Sequence, residues 1–460
     1  MPRHRGARRW RPGTRHGARG RQTGRRGRTG FRLCPRDQSQ VAGAAPRGAQ
    51  YLAHRLGRGA MTQPRVFVRG VGAITALGAN WPASLAALAA GRSAIGSVRG
   101  FDVTGFPSTA GAEIDGFTHT GDRRLALSRV AAREAWQGAG IDVAPERLGI
   151  FLGAESGRAP FSTLHGLTRG AGGGARFDHA RFGVEAAALV AEFDASIISP
   201  AAVTSALALE YGAHGPAVTI SLACASGASA IAEAARAIRL GVCDVALCGG
   251  VGADVDPMML AGFGRVGALS ARGVSCPFDV RRDGFVVGEG AAMVVLSLER
   301  GSATVELAGE GRSLDAHHLT APDPQGDGAI RAMRTALAAA GLDAVDYIQA
   351  HGTSTPLNDA VESMALRRVL GASLDAAHVS SVKGALGHWI AGAGALGFLC
   401  AHAALVQGIV LPTANLVQPD PACALPHVIG EAVRANVNAA LVNAFAFGGA
   451  NCSLVAGRCA

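Results

Sequence analysis

Short apolar runs alternate with helical patterns along most of the chain, and glycine stands at their junctions. The runs at 66 to 72, 148 to 153, 217 to 222, 244 to 249 and 291 to 298 are rich in Val, Ile and Ala, as buried strands are. Apolar residues at helical spacing mark 123 to 138 and 226 to 240, and Gly241 stops the second of these. The alternation predicts a layered α/β protein.

A second series of strands and helices begins near Val305. It predicts strands at 305 to 309, 345 to 350 and 378 to 382, helices over about 329 to 340, from 359 and from 391, and closing strands at 431 to 437 and 440 to 456. In each half a strand delivers a reactive-looking residue into the start of a helix. We therefore predict two related halves, 61 to 304 and 305 to 460, in one unit whose two sheets pack together.

The first 60 residues differ from the rest in charge. They carry 16 Arg and one acid, Asp37, whereas the other residues hold 28 basic and 33 acidic side chains. Without apolar periodicity this segment cannot bury enough surface to fold. We interpret it as a disordered, Arg-rich leader, upstream sequence translated in error ahead of a natural start at Met61. A basic tail for nucleic acid and a mitochondrial targeting segment are the alternatives.

Composition bounds the class of the chain as a whole. With 48% hydrophobic and 17% charged residues, global disorder is excluded. The longest apolar run, Ala395 to Leu411, contains His402 and Gln407 and is barely the length of a membrane span, so we predict a buried helix of a soluble, cytoplasmic protein. The nine cysteines form no CxxC pair and no close cluster with His, so neither a disulfide framework nor a zinc site is indicated.

Cys224 stands in TISLACASGASA, between an apolar strand and a helix of small residues. A thiol at this elbow feels the positive end of the helix dipole, which favours the thiolate, and small neighbours allow a tight turn that exposes the sulfur. The alternative is one more small buried cysteine. The elbow favours a reactive thiol, since Cys243, Cys248 and Cys400 have no such setting.

Two histidines also follow predicted strands. His351 lies in IQAHGTSTPLND and His388 in SSVKGALGHWIAGAGA, positions from which an imidazole can donate a hydrogen bond or accept a proton. Lys383 is the only lysine beside 43 arginines, which hints that a guanidinium would not fit there. The alternatives are polar loop residues and a surface charge.

Three further groups have a structural or a catalytic interpretation. Phe447 precedes two glycines in NAFAFGGANCS, a turn that can aim backbone N–H groups at an oxyanion or simply reverse the chain. Asp359 and Glu362 have the spacing of a capping box at the start of their helix. Arg282 and Asp283 are interpreted as a polar anchor of a buried loop.

Six segments, in this order, resemble the beta-ketoacyl-acyl-carrier-protein synthases, the condensing enzymes of fatty acid and polyketide synthesis. They are VRGVGAITALG, ACASGASA, PFDVRRDGFVVGEGA, HGTSTPLND, VKGALGH and NAFAFGGAN, and the resemblance spans about residues 64 to 455. It implies the thiolase-like fold, in which two βαβ-rich halves form a layered αβαβα core. It implies no metal and no redox cofactor.

The resemblance also implies roles for individual residues. Cys224 would be the nucleophile, with His351 and His388 completing the site and Lys383 organising it. Phe447 would gate the acyl pocket, and its N–H would form the oxyanion hole with that of Cys224. Contacts to the pantetheine arm are implied for Thr353 and Thr355, and docking of acidic acyl carrier protein is expected through Arg123, Arg124, Arg265 and Arg272.

The implied reaction is decarboxylative condensation of a malonyl thioester with an acyl group held on Cys224. A homodimer is expected, with a heterodimer as alternative, and neither membrane nor nucleic acid is an expected partner of the folded part. The competing hypotheses are a non-catalytic or decarboxylating subunit that sets chain length for another synthase, an enzyme that uses coenzyme A, and a nucleic-acid-binding protein that rests on residues 1 to 60 alone.

The chain departs from the family pattern at four positions near this site. Leu386, Ala446 and Ala450 replace the usual Thr, Gly and Thr, and Gly397 replaces a glutamate. Loss of that charge is expected to affect the lysine, and a Cβ at position 446 is expected to stiffen the gate.

Overall fold

The computed structural model describes residues 64–189 and 194–459, so the interpretation of residues 1 to 60 lies outside the described part. The strands are β1 (Phe67–Thr75), β2 (Gly96–Ser97), β3 (Ala110–Ala112), β4 (Leu148–Gly153), β5 (Ala217–Ile220), β6 (Val245–Ala253), β7 (Val287–Ser297), β8 (Val305–Leu314), β9 (Tyr347–Gln349), β10 (His378–Ser380), β11 (Ile409–Val410), β12 (Val433–Arg434), β13 (Ala439–Phe445) and β14 (Ala450–Arg458).

The α-helices alternate with these strands as the sequence pattern predicts. They are α1 (Trp81–Ala89), α2 (Arg123–Ala139), α3 (Phe161–Gly170), α4 (His179–Ala188), α5 (Ala201–Glu210), α6 (Ser226–Arg239), α7 (Pro257–Arg265), α8 (Asp327–Ala340), α9 (Pro356–Leu370), α10 (Lys383–Leu386) and α11 (Ala393–Gln407). Local signals set several ends: the Asp122 carboxylate caps α2, and α2 and α8 stop at glycines with positive φ, Gly140 and Gly341.

The two halves of the chain have the same topology, which confirms that they are related. In the first half β1 is antiparallel to β7 and β7 to β6, and β6, β4 and β5 follow in parallel. In the second half β8 is antiparallel to β14 and β14 to β13, and β13, β9 and β10 follow in parallel. The domain bounds at residues 304 and 305 stay a prediction.

The two half-sheets also meet edge to edge, which the sequence did not predict. Phe67 of β1 pairs antiparallel with Glu306 of β8, and the Leu307 N–H donates to the Val66 carbonyl at 2.9 Å. This contact joins both halves into one sheet, which has twelve strands once β3 is counted through its pairing with β7 and β2 through its pairing with β3. Strands β11 and β12 form a separate pair.

Helices α6 and α11 form the central layer, and each packs against the half-sheet of its own half of the chain. Small residues let the two helices approach closely: a Cβ added at Gly394 would lie 2.8 Å from the Cβ of Ala228. Helix α2 covers the outer face of the first half-sheet, and α8 covers that of the second. The predicted layered αβαβα core is therefore present.

The long apolar segment forms the buried core helix that the sequence predicts, α11. Within the described residues Ile390–Gln407 is long and apolar enough to cross a membrane by length and composition, but 83% of it is buried inside the protein. Three predicted elements need correction. The closing strand expected at 431 to 437 is limited to β12, which pairs with β11 outside the main sheet. The helix expected from Asp359 begins at Pro356, and the closing segment 440 to 456 is split into β13 and β14 by a turn at Gly448 and Gly449.

Candidate active site

Cys224 lies at the centre of a short 3₁₀ turn, Ala223–Ala225, between β5 and α6. The predicted strand-to-helix elbow is therefore observed. Tight packing from below fixes the elbow, because a Cβ at Gly153 on β4 would lie 2.4 Å from the Gly227 nitrogen in the first turn of α6. The Cys224 side chain is buried but lines a cavity of about 390 Å³.

Both predicted histidines reach the same cavity from the second half of the chain. His351 follows β9 and His388 follows α10, and both are buried. The Cys224 sulfur lies 3.0 Å from Nε2 of His388, and the two imidazole rings stand 5.6 Å apart, edge to face. One ligand atom from each of the three residues lies within 4.8 Å of the others. The cysteine elbow, the end of β9 and the end of α10 thus converge on one point.

Hydrogen bonds determine which ring nitrogen carries the proton. Nδ1 of His388 accepts from the Ile390 backbone N–H at 3.2 Å, so the proton of the neutral ring is assigned to Nε2, which faces the sulfur. Nδ1 of His351 lies 3.5 Å from the Lys383 ammonium, which can only donate. Burial lowers the pKa of both histidines well below the usual value. Both rings are therefore neutral Nε2–H donors.

Lys383 is buried beneath His351, as its predicted organising role requires. Its ammonium donates to the backbone carbonyl of His351. Burial lowers the pKa of Lys383 to about 8, while the negative charge of Glu362 opposes this change. The carboxylate of Glu362 is itself fixed by the N–H groups of His351 and Gly352, at 2.8 Å each.

The environment of the thiol differs from the expectation of a ready thiolate. Burial raises the pKa of Cys224 to about 12, against the helix dipole on which the expectation rested. The Lys383 charge and a hydrogen bond from the Phe447 N–H act in the opposite direction. The sulfur therefore faces two N–H donors, that of Phe447 and Nε2–H of His388. They stabilise the thiolate in part, but Cys224 remains a thiol in the resting protein.

A metal ion does not fit this group of ligands. Zinc-bound imidazoles normally donate their second N–H to an acceptor. Here the second nitrogens face donors instead, the Ile390 N–H at His388 and the Lys383 ammonium at His351. The arrangement suits an oxygen that gains negative charge rather than a cation.

The walls of the cavity combine apolar and hydroxyl side chains. Phe263, Phe285, Ile390 and Phe447 supply apolar surface, and the ring of Phe447 meets that of Phe263 edge to face at 6.4 Å. Thr353 and Thr355, the residues predicted to contact pantetheine, line the cavity with their hydroxyls 2.9 Å apart.

The acids that follow His351 have a different role from the predicted capping box. Asp359 and Glu362 lie inside α9, whose N-cap is Thr355. Asp359 accepts from the N–H groups of Thr353 and Ser354 at 2.9 and 3.1 Å. The two carboxylates therefore hold the 351–354 loop, and with it His351, instead of capping their own helix.

The four arginines predicted for carrier docking fall into two classes. Arg124 is buried, pairs with Asp122 at 2.6 Å and donates to the Glu155 backbone carbonyl, so the docking prediction is wrong for this residue. Arg123 is half-buried and held by Glu289 in two hydrogen bonds of 2.7 and 2.6 Å. Arg265 and Arg272 are exposed, and Arg265 directly precedes Val266 at the cavity wall.

Of the four departures from the family pattern, Ala446 lines the cavity, whereas Leu386, Gly397 and Ala450 are not among the described residues that line it. Gly397 is inside α11, where an added Cβ would lie 3.2 Å from Val442 and 3.3 Å from Gln349. Ala446 packs among the apolar residues of the cavity wall, and its N–H donates to the Ala450 carbonyl at 2.8 Å. Leu386 ends α10 and is buried.

Glu155 is the site residue that sequence reasoning missed. Its carboxylate accepts from the Ala223 N–H at 3.0 Å, one residue before the reactive cysteine. A signal existed in the internal repeat: Glu155 stands two residues after β4, as His351 stands two residues after β9, the equivalent strand of the second half.

A thiolase-like fold that brings a cysteine and two histidines to one pocket defines a thiol-dependent acyltransferase. Comparison with known families narrows this class. The family description "Beta-ketoacyl synthase, N-terminal domain" matches residues 63–301, and "Beta-ketoacyl synthase, C-terminal domain" matches residues 304–417. The chain belongs to the beta-ketoacyl synthase family.

Individual relatives agree with this assignment. The 3-oxoacyl-[acyl-carrier-protein] synthase 2 of Coxiella burnetii is 33% identical over 428 residues, 86% of this chain and 99% of the relative. The solved structure of the ishigamide ketosynthase/chain length factor is 33% identical with a TM-score of 0.76, over 86% of this chain and all of that one. A type II polyketide ketosynthase solved with its acyl-carrier protein is 26% identical with a TM-score of 0.75, covering 86% and 99%.

Proposed function

We propose that this protein is a beta-ketoacyl-acyl-carrier-protein synthase that condenses malonyl carrier protein with an acyl group held on Cys224. The observation that carries the proposal is the convergence of Cys224, His351 and His388 within 4.8 Å in one cavity. The relative from Coxiella burnetii is named for this activity. Both fatty acid and polyketide synthesis use the reaction.

In the first half-reaction the Cys224 sulfur attacks the thioester carbonyl of an acyl carrier. The S–C bond forms, and the pantetheine thiol leaves with the proton that Cys224 gives up. The N–H of Phe447 already points at the sulfur, so it can stabilise the carbonyl oxygen as that oxygen gains negative charge, together with the N–H of Cys224. The product is an acyl thioester on Cys224.

In the second half-reaction a malonyl carrier loses carbon dioxide. The electron pair of the broken C–C bond forms an enolate, whose oxygen accepts from Nε2–H of His351 and His388. The enolate carbon attacks the acyl carbonyl on Cys224, and the C–S bond breaks as the 3-oxoacyl carrier product forms. The Cys224 sulfur leaves as a thiolate, which takes up a proton from water. Neutral donors suit this step because no proton has to move to or from the rings.

The carrier protein is the proposed partner at the mouth of the cavity. The hydroxyls of Thr353 and Thr355 are placed to contact its pantetheine arm. Arg265 and Arg272 are the exposed arginines that an acidic surface would meet. Arg265→Glu should raise the KM for carrier, whereas Arg434→Glu should not, since Arg434 donates to the Gln407 carbonyl at the C-terminal end of α11 and is not among the residues that line the cavity.

A second copy of the chain is the proposed partner at the edge of the sheet, in the cytoplasm. β5 is the last strand at one end of the sheet, and the exposed side chains of Leu209 and Leu222 lie beside it in the chain. In a homodimer β5 of one copy would lie beside β5 of the other, so that each covers the exposed edge of its partner. The solved ketosynthase/chain length factor makes a heterodimer the alternative, and the mass of the protein purified alone separates the two.

Intact-protein mass spectrometry tests the function directly. After incubation with acyl carriers of several chain lengths we expect one added acyl group, which is absent from Cys224→Ala. Malonyl carrier should then give 3-oxoacyl carrier. Carbon dioxide release without acylation or product would instead identify a decarboxylating subunit of another synthase, and a stable acyl adduct on Cys224→Ala would overturn the assignment of the nucleophile.

A further inference from the structure

Glu155 is a charged residue near the reactive sulfur that the two half-reactions do not use. It follows β4 in the loop that faces the turn containing Cys224, and its side chain is half-buried. Its two carboxylate oxygens contact different groups, and Oε1 also lies 3.4 Å from the Ser226 hydroxyl. Oε2 accepts from the Ser221 hydroxyl at 2.8 Å, and Oε1 accepts from the Ala223 backbone N–H at 3.0 Å.

The segment that Glu155 holds is strained. Ala223 has a φ of 44°, a conformation that residues with a Cβ rarely adopt and that persists only when the surroundings fix it. The Ser226 hydroxyl accepts from the Leu222 N–H at 2.8 Å and donates to the Ala223 carbonyl at 2.6 Å. Glu155 therefore supplies the acceptor for the N–H of the strained residue itself.

The Glu155 backbone is fixed from behind by a buried cation. Arg124 on α2 donates to the Glu155 carbonyl and, at 2.5 Å, to the carbonyl of Ile197. Asp122, the N-cap of α2, holds the same guanidinium at 2.6 Å. A chain of contacts thus runs from α2 through Arg124 and Glu155 to Ala223, the residue before Cys224.

We propose that Glu155 is a positioning residue for the reactive thiol: its carboxylate holds the strained turn at Ala223, so that the Cys224 sulfur meets His388. The proposal rests on the proposed function of Cys224 as nucleophile. The reach of the side chain is the essential property, because the two oxygens must span Ser221 and Ala223 together.

Two substitutions separate reach from charge. Glu155→Gln keeps the length and an acceptor for the Ala223 N–H but removes the charge. Glu155→Asp keeps the charge but is one methylene shorter. At saturating acyl carrier we expect Glu155→Asp to acylate Cys224 about 10-fold more slowly than the parent, and Glu155→Gln to stay within about threefold, because small misplacements of a nucleophile are costly. Glu146→Gln, at a residue 72% exposed, is the matched control and should equal the parent.

The pH dependence of alkylation gives a readout that a purely structural role would not move. The charged and titratable groups that act on Cys224 are Glu155 after β4, Asp254 after β6, Lys383 on α10, and the two histidines beside the sulfur. Removing one negative charge should move the onset of iodoacetamide alkylation of the Cys224 peptide to lower pH in Glu155→Gln. Glu155→Asp should keep the onset of the parent.

The outcomes are decisive in both directions. An Asp variant as fast as the parent, or a Gln variant as slow as the Asp variant, overturns the positioning role. Should melting temperatures show that Glu155→Asp does not fold, Ser221→Ala removes the contact to Oε2 alone and must slow acylation for the proposal to stand. If the parent itself is never acylated, the proposed function fails, while the alkylation profiles still report whether Glu155 acts on this thiol.

Discussion

Lys383 holds His351 at two atoms: its ammonium donates to the His351 backbone carbonyl and lies 3.5 Å from Nδ1 of the same residue. An ammonium has no acceptor, so Nδ1 must present its lone pair and the ring proton must be on Nε2. The protonation state of Lys383 therefore controls whether His351 is a fixed donor.

We expect malonyl decarboxylation to slow as the pH rises through about 8. Burial lowers the pKa of Lys383 to about 8, so the ammonium dominates below that pH and the neutral amine above it. The neutral amine no longer fixes the proton on Nε2 of His351, and the enolate loses a donor. Carbon dioxide release by Cys224→Ala, which cannot be acylated at this residue, measures the step alone. The pH–rate profile of decarboxylation should show no change near the ordinary pKa of histidine, since burial lowers the pKa of both rings.

Glu362→Gln tests whether deprotonation of Lys383 causes the loss of decarboxylation at high pH. The Glu362 charge raises the pKa of Lys383, so its removal should move the alkaline limb to lower pH. Lys383→Met should be slow at every pH and show no such limb. A profile of the parent that is flat across this range would contradict the control of His351 by Lys383.

We also expect that cobalt(II) does not bind Cys224 together with the histidines. Either histidine would have to turn a proton toward a donor, the Ile390 N–H or the Lys383 ammonium. Titration with cobalt should therefore give no thiolate-to-cobalt charge-transfer absorption. Lys383→Met frees Nδ1 of His351 to carry the proton, so this variant is the comparison most able to bind. A charge-transfer band in the parent that is lost in Cys224→Ala would show that the assigned tautomers are wrong.

Local patterns sufficed for Cys224, His351 and His388, because each is marked by a strand end, a glycine or a helix start within a few residues. The roles of Asp359, Glu362 and Arg124 were not accessible in this way. The acids have the spacing of a cap, yet tertiary contacts to the 351–354 loop determine what they do. Likewise the bond from Glu155 to Ala223 joins residues 68 positions apart, a pairing that periodicity does not encode.

Trp389 is expected to be a major contributor to stability. Its indole is 1% exposed, and it lies against glycines of β7: a Cβ at Gly290 would be 2.4 Å from the Trp389 ring. The glycines have no side chains that could fill the cavity left by the indole. Trp389→Ala should therefore lower the free energy of unfolding by about 3–5 kcal/mol. Urea denaturation measures the change. Trp136→Ala, on the half-exposed face of α2, is the matched control, and an equal loss in both variants would contradict the argument.

The last prediction concerns the turn between β13 and β14, which presents Phe447 to the cavity. Its backbone is closed by bonds from the Ala446 N–H to the Ala450 carbonyl, at 2.8 Å, and from the Gly448 N–H to the Leu319 carbonyl, at 2.7 Å. The predicted gating role requires that Phe447 moves with this backbone when a long acyl chain passes. A Cβ at Ala446 restricts the motion that a glycine would allow.

Ala446→Gly should therefore speed acylation of Cys224 by long acyl carriers about two- to fivefold. This factor corresponds to the free energy by which alanine and glycine differ in backbone freedom. Short acyl carriers should respond less, and decarboxylation should not change, since it needs the histidines and not an open gate. Mass spectrometry of samples quenched at successive times follows acylation of the protein. Carbon dioxide release follows decarboxylation. Ala439→Gly makes the same chemical change at the start of β13, at the end of the hairpin away from this turn, and should leave acylation unaltered. Equal acylation rates for the parent and Ala446→Gly at every chain length would mean that the alanine does not restrain the gate.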